Sequence, residues 1–144
     1  MAKVAVLDHD GNKLDALIAE LRKGGHQVDG PVINSTALLE MAVGTDYDIV
    51  VAHLEADEFE IFPRTLGVLP KEVHGTVPNL IYISHNVFKY DDENAEEIDN
   101  EMGLKLNSTI GFYFFADHFP KEGELLKAVQ YITAKSRPPI LEFL

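Results

Sequence analysis

Apolar runs and amphipathic stretches alternate along the chain, and the alternation predicts most of its elements. Val4-Ala5-Val6-Leu7 is apolar at every position and stops at the polar cluster Asp8-His9-Asp10-Gly11-Asn12. An apolar run closed by turn residues is the pattern of a strand buried on both faces. Leu14, Leu17, Ile18 and Leu21 then fall at i, i+3, i+4 and i+7, the stripe of an amphipathic helix, and Gly24-Gly25 ends it. His26 to Ile33 predicts a weaker strand broken by Gly30-Pro31. Ser35 or Thr36 is placed to cap a second helix, which carries Leu38, Leu39 and Met41 and closes at Gly44.

Asp48-Ile49-Val50-Val51-Ala52-His53-Leu54 predicts a third strand, apolar on both faces up to His53. Residues 55–77 are mixed, with Pro63, Gly67, Pro70 and Gly75 cutting any helix short. Asn79 to Ser84, introduced by Pro78, predicts a fourth strand, and Ile110 to Phe115 an aromatic-rich fifth. Pro120 opens a last helix with Leu125, Leu126, Val129 and Ile132 on one face, and Pro138-Pro139 ends regular structure. Five apolar strands separated by helical stretches imply an α/β domain, a five-stranded parallel sheet with helices on both faces. Such sheets bind ligands beyond the carboxyl ends of their strands. The residues there are Asp8-His9-Asp10, His53, Ser84-His85 and Asp117-His118.

Composition narrows the function. The chain of 144 residues is one domain's worth, read as residues 1–137 followed by an apolar tail, 138–144. It has no cysteine, which excludes zinc–thiolate sites, iron–sulfur clusters, redox dithiols and cysteine nucleophiles. A net charge of −12 repels phosphate backbones, so no nucleic-acid role is expected. The N-terminus turns acidic at Asp8 before a signal-peptide core develops, and no apolar run reaches membrane-spanning length. The expectation is a cytoplasmic protein with no membrane contact.

The strand-end residues resemble those of response-regulator receiver domains. Val6-Leu7-Asp8-His9-Asp10, with the helix and Gly24-Gly25-His26-Gln27-Val28 after it, resembles the family's first strand and helix and the start of its second strand. Tyr47 to Leu54 resembles its third strand, and Pro78 to Ser84 its fourth, which ends in a switch Ser or Thr. Phe115-Ala116-Asp117-His118-Phe119-Pro120 followed by Glu124-Leu125-Leu126 resembles its fifth strand and final helix. The separations from His9 to His53 and from His53 to Ser84 agree with the family's. The resemblance covers nearly the whole chain and implies the receiver (flavodoxin-like) three-layer sandwich.

It also implies where the chemistry departs. A working receiver has an Asp nucleophile ending the third strand, an acidic pair ending the first strand to hold magnesium, and a Lys ending the fifth. Phosphoryl transfer is mostly positioning and charge compensation, so each part counts. Here the nucleophile position is His53, the acidic pair is Asp8 and His9, and the lysine position falls on His118, or on Asp117 if slipped by one. Ser84 and the switch aromatic Phe115 are retained. The pocket of Asp8, His9, Asp10, His53, Ser84 and His118 therefore resembles that of a degenerate member, a pseudo-receiver. Asp48, at the far end of the third strand, and Asp57, four residues past His53, would need a register shift to replace the acceptor.

Four histidines, His9, His53, His85 and His118, fall at strand ends beside Asp8 and Asp10. Imidazole with carboxylate suits a transition metal or a pH-sensitive pocket. No two histidines stand at i, i+4, so a hydrogen-bonded cluster is the plainer reading, and no metal or cofactor is assigned. Asp8-x-Asp10 after a strand is similar to a haloacid-dehalogenase-like site, but the downstream lysine, acidic pair and small cap are missing.

The run from Asp91 to Glu101, with Asp91, Asp92, Glu93, Glu96 and Glu97 at its head, holds seven acids and no base. It reads as a solvated acidic loop or helix face, and as a docking surface for a basic protein partner, since receivers signal through this region. The tail residues Ile140, Leu141, Phe143 and Leu144 are expected to pack back on the domain or meet a partner. Together these features predict a non-enzymatic signalling module that works by protein–protein interaction without phosphorylation, with homodimerisation a habit of the family. The alternatives are an atypical regulator that is still phosphorylated and a metal or pH sensor using the histidine-rich pocket.

Overall fold

The computed structural model of the chain describes residues 1–54, 62–84, 112–115 and 119–133. Five strands, β1 (Lys3–Asp8), β2 (Gln27–Val32), β3 (Ile49–Leu54), β4 (Asn79–Ser84) and β5 (Phe112–Phe115), form one sheet in the order β2-β1-β3-β4-β5. Every neighbouring pair is parallel. Between them run α1 (Asp15–Lys23), α2 (Ser35–Gly44), α3 (Phe62–Leu66) and α4 (Leu69–His74), and α5 (Glu124–Thr133) follows the last strand.

Side chains alternate across a strand, so uniformly apolar strands feed two cores. Leu7, Val50, Ala52, Leu80 and Tyr82 point to one face and pack with Leu38 and Ala42 of α2 and Phe62 and Leu66 of α3. Val4, Val6, Val51, Ile81 and Ile83 point to the other and pack with Leu17, Ile18 and Leu21 of α1 and Leu125, Val129 and Ile132 of α5. The result is a three-layer sandwich with a five-stranded parallel sheet, as the sequence pattern implies. No helix among the described residues is long and apolar enough to cross a membrane.

Local chemistry moves several boundaries. β2 does not break at Gly30-Pro31 but runs through it, with an irregularity in its pairing to β1 between Ala5 and Leu7. β2 is an edge strand, where a proline without an N–H is tolerated. The cap of α2 is Asn34, neither Ser35 nor Thr36: its side chain accepts from the Ala37 N–H at 2.8 Å. Pro70 lies in the first turn of α4, where its missing donor costs nothing, and left-handed Gly75 ends that helix. The last helix starts at Glu124, four residues after Pro120, and Glu124 folds back to accept from the Lys121 N–H at 2.7 Å. Of the predicted fifth strand, residues 110 and 111 lie outside the described residues, as does the stop at Pro138-Pro139.

Candidate functional site

The chain leaves β1 for β2 on one side, then crosses back so that β3 pairs with the other edge of β1. That reversal opens a crevice at the carboxyl ends of β1 and β3, the place where open α/β sheets bind ligands. Asp8, the last residue of β1, and His53, the residue before the end of β3, are register partners. Both are buried, at 0% and 1% exposure.

Two acceptor oxygens let Asp8 organise the surrounding loop. Its Oδ2 accepts from the Leu14 N–H at 2.9 Å, and its Oδ1 accepts from the Asp10 N–H at 3.1 Å. Gly11, with φ of 81°, turns the chain and donates to the Asp8 carbonyl at 2.9 Å. The His9 N–H donates to the His53 carbonyl at 3.2 Å, tying the loop to the end of β3. One carboxylate thus fixes the segment from β1 to the first turn of α1.

His53 completes the arrangement. Its Nδ1 lies 3.0 Å from Asp8 Oδ1, and an ionised carboxylate makes that nitrogen the donor. The ring meets His9 edge-on at 5.9 Å between centroids and Phe119 edge-on at 5.6 Å. Next to it, His9 Nε2 lies 3.2 Å from Asp10 Oδ1, with both side chains partly open to solvent. One donor atom each from Asp8, Asp10 and His53 lie within 4.8 Å of one another. A buried carboxylate–imidazole pair floors the crevice, and a second such pair stands at its mouth.

Four of the predicted pocket residues, Asp8, His9, Asp10 and His53, are therefore brought together. Ser84 ends β4, where its backbone pairs with Leu54, and Phe115 ends β5 opposite Ile83. His118, with His85, Asp117, Asp57, the acidic residues Asp91, Asp92, Glu93, Glu96 and Glu97, and the apolar tail, lies outside the described residues. Asp48 sits at the opposite end of the sheet, where its Oδ2 accepts from the Lys3 N–H at 2.9 Å. Phe119 is the site residue that sequence reasoning misses. Its one signal is its place between Asp117-His118 and Pro120, just past a strand end.

Comparison with protein-family models and with curated proteins finds no match. Solved structures do match. The chain superposes on the regulatory domain of the repressor of iron transport regulator, in its inactive form, with a TM-score of 0.64, 15% identity and 100% of both chains covered. The chemotaxis protein CheY4 of Vibrio cholerae gives 0.62 at 16% identity, over 92% of this chain and 98% of that one. The receiver domain of a Pseudomonas aeruginosa sensor histidine kinase, which holds a magnesium ion in its active-site cleft, gives 0.59 at 16% identity, over 93% and 98%. The fold is the receiver fold. At these identities the likeness reaches the backbone and no further, so the chemistry of this crevice has to be read from its own side chains.

Proposed function

We propose that the chain is a receiver-type signalling module whose output is contact with a protein partner and whose switching does not pass through an aspartyl phosphate. One observation carries the reading. Near the carboxyl end of β3, where the resemblance calls for a carboxylate nucleophile, stands the imidazole of His53, hydrogen-bonded to Asp8 at 3.0 Å. An aspartyl phosphate needs a carboxylate at that position. Asp48, the acid flanking the other end of β3, is engaged with the Lys3 backbone away from the crevice.

The receiver fold also implies magnesium, and these residues fit it poorly. Magnesium asks for near-octahedral oxygen donors, and this crevice offers two carboxylates with imidazole nitrogens. Without a nucleophile and a hard-cation cradle, what remains of the family's function is the scaffold and its surfaces. The acidic segment from Asp91 to Glu101 suits a basic protein surface, and the net charge of −12 argues against nucleic acid. A cytoplasmic, non-enzymatic role, with self-association through the last strand and helix as one mode of contact, accords with this reading.

The test is a two-dimensional amide NMR spectrum of the full chain titrated with magnesium and beryllofluoride, the mimic of an aspartyl phosphate. The expected result is no beryllofluoride-dependent shift at residue 53 or along β4 and β5. Saturable shifts there overturn the reading and require an acceptor carboxylate in the crevice.

A further inference from the structure

The disagreement between this crevice and magnesium has a positive side. We propose that Asp8, Asp10 and His53, closed by His9, form a site for a borderline divalent transition ion, with zinc as its type. The inference deepens the reading of the same crevice and rests on it only for the consequence drawn at the end. The site itself stands on donor chemistry and geometry.

The donor set comes first. One atom each from Asp8, Asp10 and His53 lie within 4.8 Å of one another, and His9 Nε2 stands 3.2 Å from Asp10 Oδ1. Two carboxylate oxygens and the His53 nitrogen, with the His9 imidazole standing beside Asp10 outside that triad, suit zinc, cobalt, nickel or copper, whereas calcium and magnesium prefer oxygen throughout. The two carboxylates balance a divalent charge, and the acidic chain favours cation approach.

Geometry agrees. Zinc bonds of about 2.0–2.1 Å hold two ligand atoms about 3.3 Å apart at a tetrahedral angle. His53 Nδ1 and Asp8 Oδ1 are already 3.0 Å apart. An ion can therefore replace the proton they share with a shift of a few tenths of an ångström. The Nδ1 proton leaves for solvent as the ring takes up its proton at Nε2, so the imidazole stays neutral and binds through a lone pair. Asp8 binds through Oδ1, the oxygen that faces His53 Nδ1 and also accepts from the Asp10 N–H, while its Oδ2 stays with the Leu14 N–H.

The two halves of the site differ in a way that allows loading. Asp8 and His53 are buried; backbone N–H groups hold the Asp8 carboxylate, which in turn holds the His53 ring, a preformed floor. His9 and Asp10 keep 20% and 31% of their side-chain surface exposed, so an ion can reach the site from solvent on that side. Occupancy would clamp the loop between β1 and α1 to the end of β3. In a module without an acceptor Asp, that is a chemical input at the point where receivers take theirs.

The experiment titrates zinc chloride, cobalt chloride and magnesium chloride separately into the untagged full chain, by calorimetry and, for cobalt, by visible absorption. The expected result is one zinc per chain, no competition from magnesium, and a cobalt band of low-coordinate character. Asp10→Asn and His9→Gln, at partly exposed positions, keep the fold and weaken zinc by at least about ten-fold, since even outer-sphere partners typically carry that much. His53→Asn removes binding, whereas His74→Asn, whose ring contacts the Ala42 carbonyl away from the crevice, leaves it unchanged. Absence of zinc binding to the full chain, binding undiminished in Asp10→Asn, or equal preference for magnesium each overturns the proposal. None of these outcomes bears on the beryllofluoride test, so the site and the phosphorylation-independent reading fail separately.

Discussion

The backbone N–H of Ala2 donates to Nδ1 of His26 at 2.9 Å, joining the residue before β1 to the residue before β2. That nitrogen accepts only while it carries no proton. Burial, with a smaller contribution from the N-terminal amine, holds His26 below the ordinary histidine value of 6.5. As pH falls through that value the unfolded chain takes up a proton at His26 that the folded chain resists. The stability is therefore full above the unfolded value and is lost as pH drops towards the folded one. The urea midpoint should fall between about pH 7.5 and about pH 5.5, and more steeply for the native chain than for His26→Gln, whose amide oxygen can accept at either pH. Parallel slopes for the two proteins would remove His26 as the source.

Asp8 is predicted to be the most damaging polar position to truncate. Asp8→Ala strands the buried Leu14 N–H and the buried His53 ring, and takes the acceptor from the Asp10 N–H nearer solvent. Each unsatisfied buried donor costs about 1–3 kcal/mol, so partial relaxation still leaves a loss of about 3 kcal/mol in urea unfolding. Asp8→Asn keeps an acceptor oxygen and should lose less than the alanine variant.

Much of this architecture is legible in the sequence because burial on both faces leaves an unambiguous mark. Val4 to Leu7, Ile49 to Ala52 and Leu80 to Ile83 are apolar at every step, and each proves to be a central strand. The pairing of Asp8 with His53 follows from strand order, since neither residue is near the other in sequence. What escapes is chemistry decided by single atoms. Asn34, Ser35 and Thr36 are all competent caps, and only the extended backbone at Asn34, with φ of −139°, selects one. Asn34→Ala should cost about 1 kcal/mol and Ser35→Ala well under half of that, read as a difference in chemical-denaturation midpoints.

Gly30 is predicted to resist substitution by any side chain. Its φ is 109°, and a Cβ there would stand 2.6 Å from the Val6 carbonyl oxygen, which belongs to the adjoining central strand and cannot yield. Gly30→Ala should cost about 2–4 kcal/mol, combining left-handed strain with a backbone clash. Gly44→Ala is the control. With nothing within 4 Å of its Cβ position and no positive φ, it should be neutral or slightly stabilising through helix propensity. Equal effects at the two positions would mean that β2 shifts to relieve the contact.

On the proposed reading, His53→Asp supplies the carboxylate that an aspartyl phosphate needs at this position. It replaces a donor to Asp8 with a second carboxylate at a buried position whose register partner, Asp8, is 0% exposed, beside Asp10. Like charges that close resist joint ionisation, so the variant should be less stable than the native chain near neutral pH and recover as one carboxyl is protonated at lower pH. It also supplies the all-oxygen donor set that magnesium prefers. Millimolar magnesium should therefore raise the melting temperature of the variant by several degrees and leave the native chain unmoved, because a ligand stabilises only the state that binds it. Zinc should show the opposite preference. A native chain that responds to magnesium as strongly as the variant would place the oxygen ligands elsewhere, and His53 would cease to be the residue that sets which ion this crevice takes.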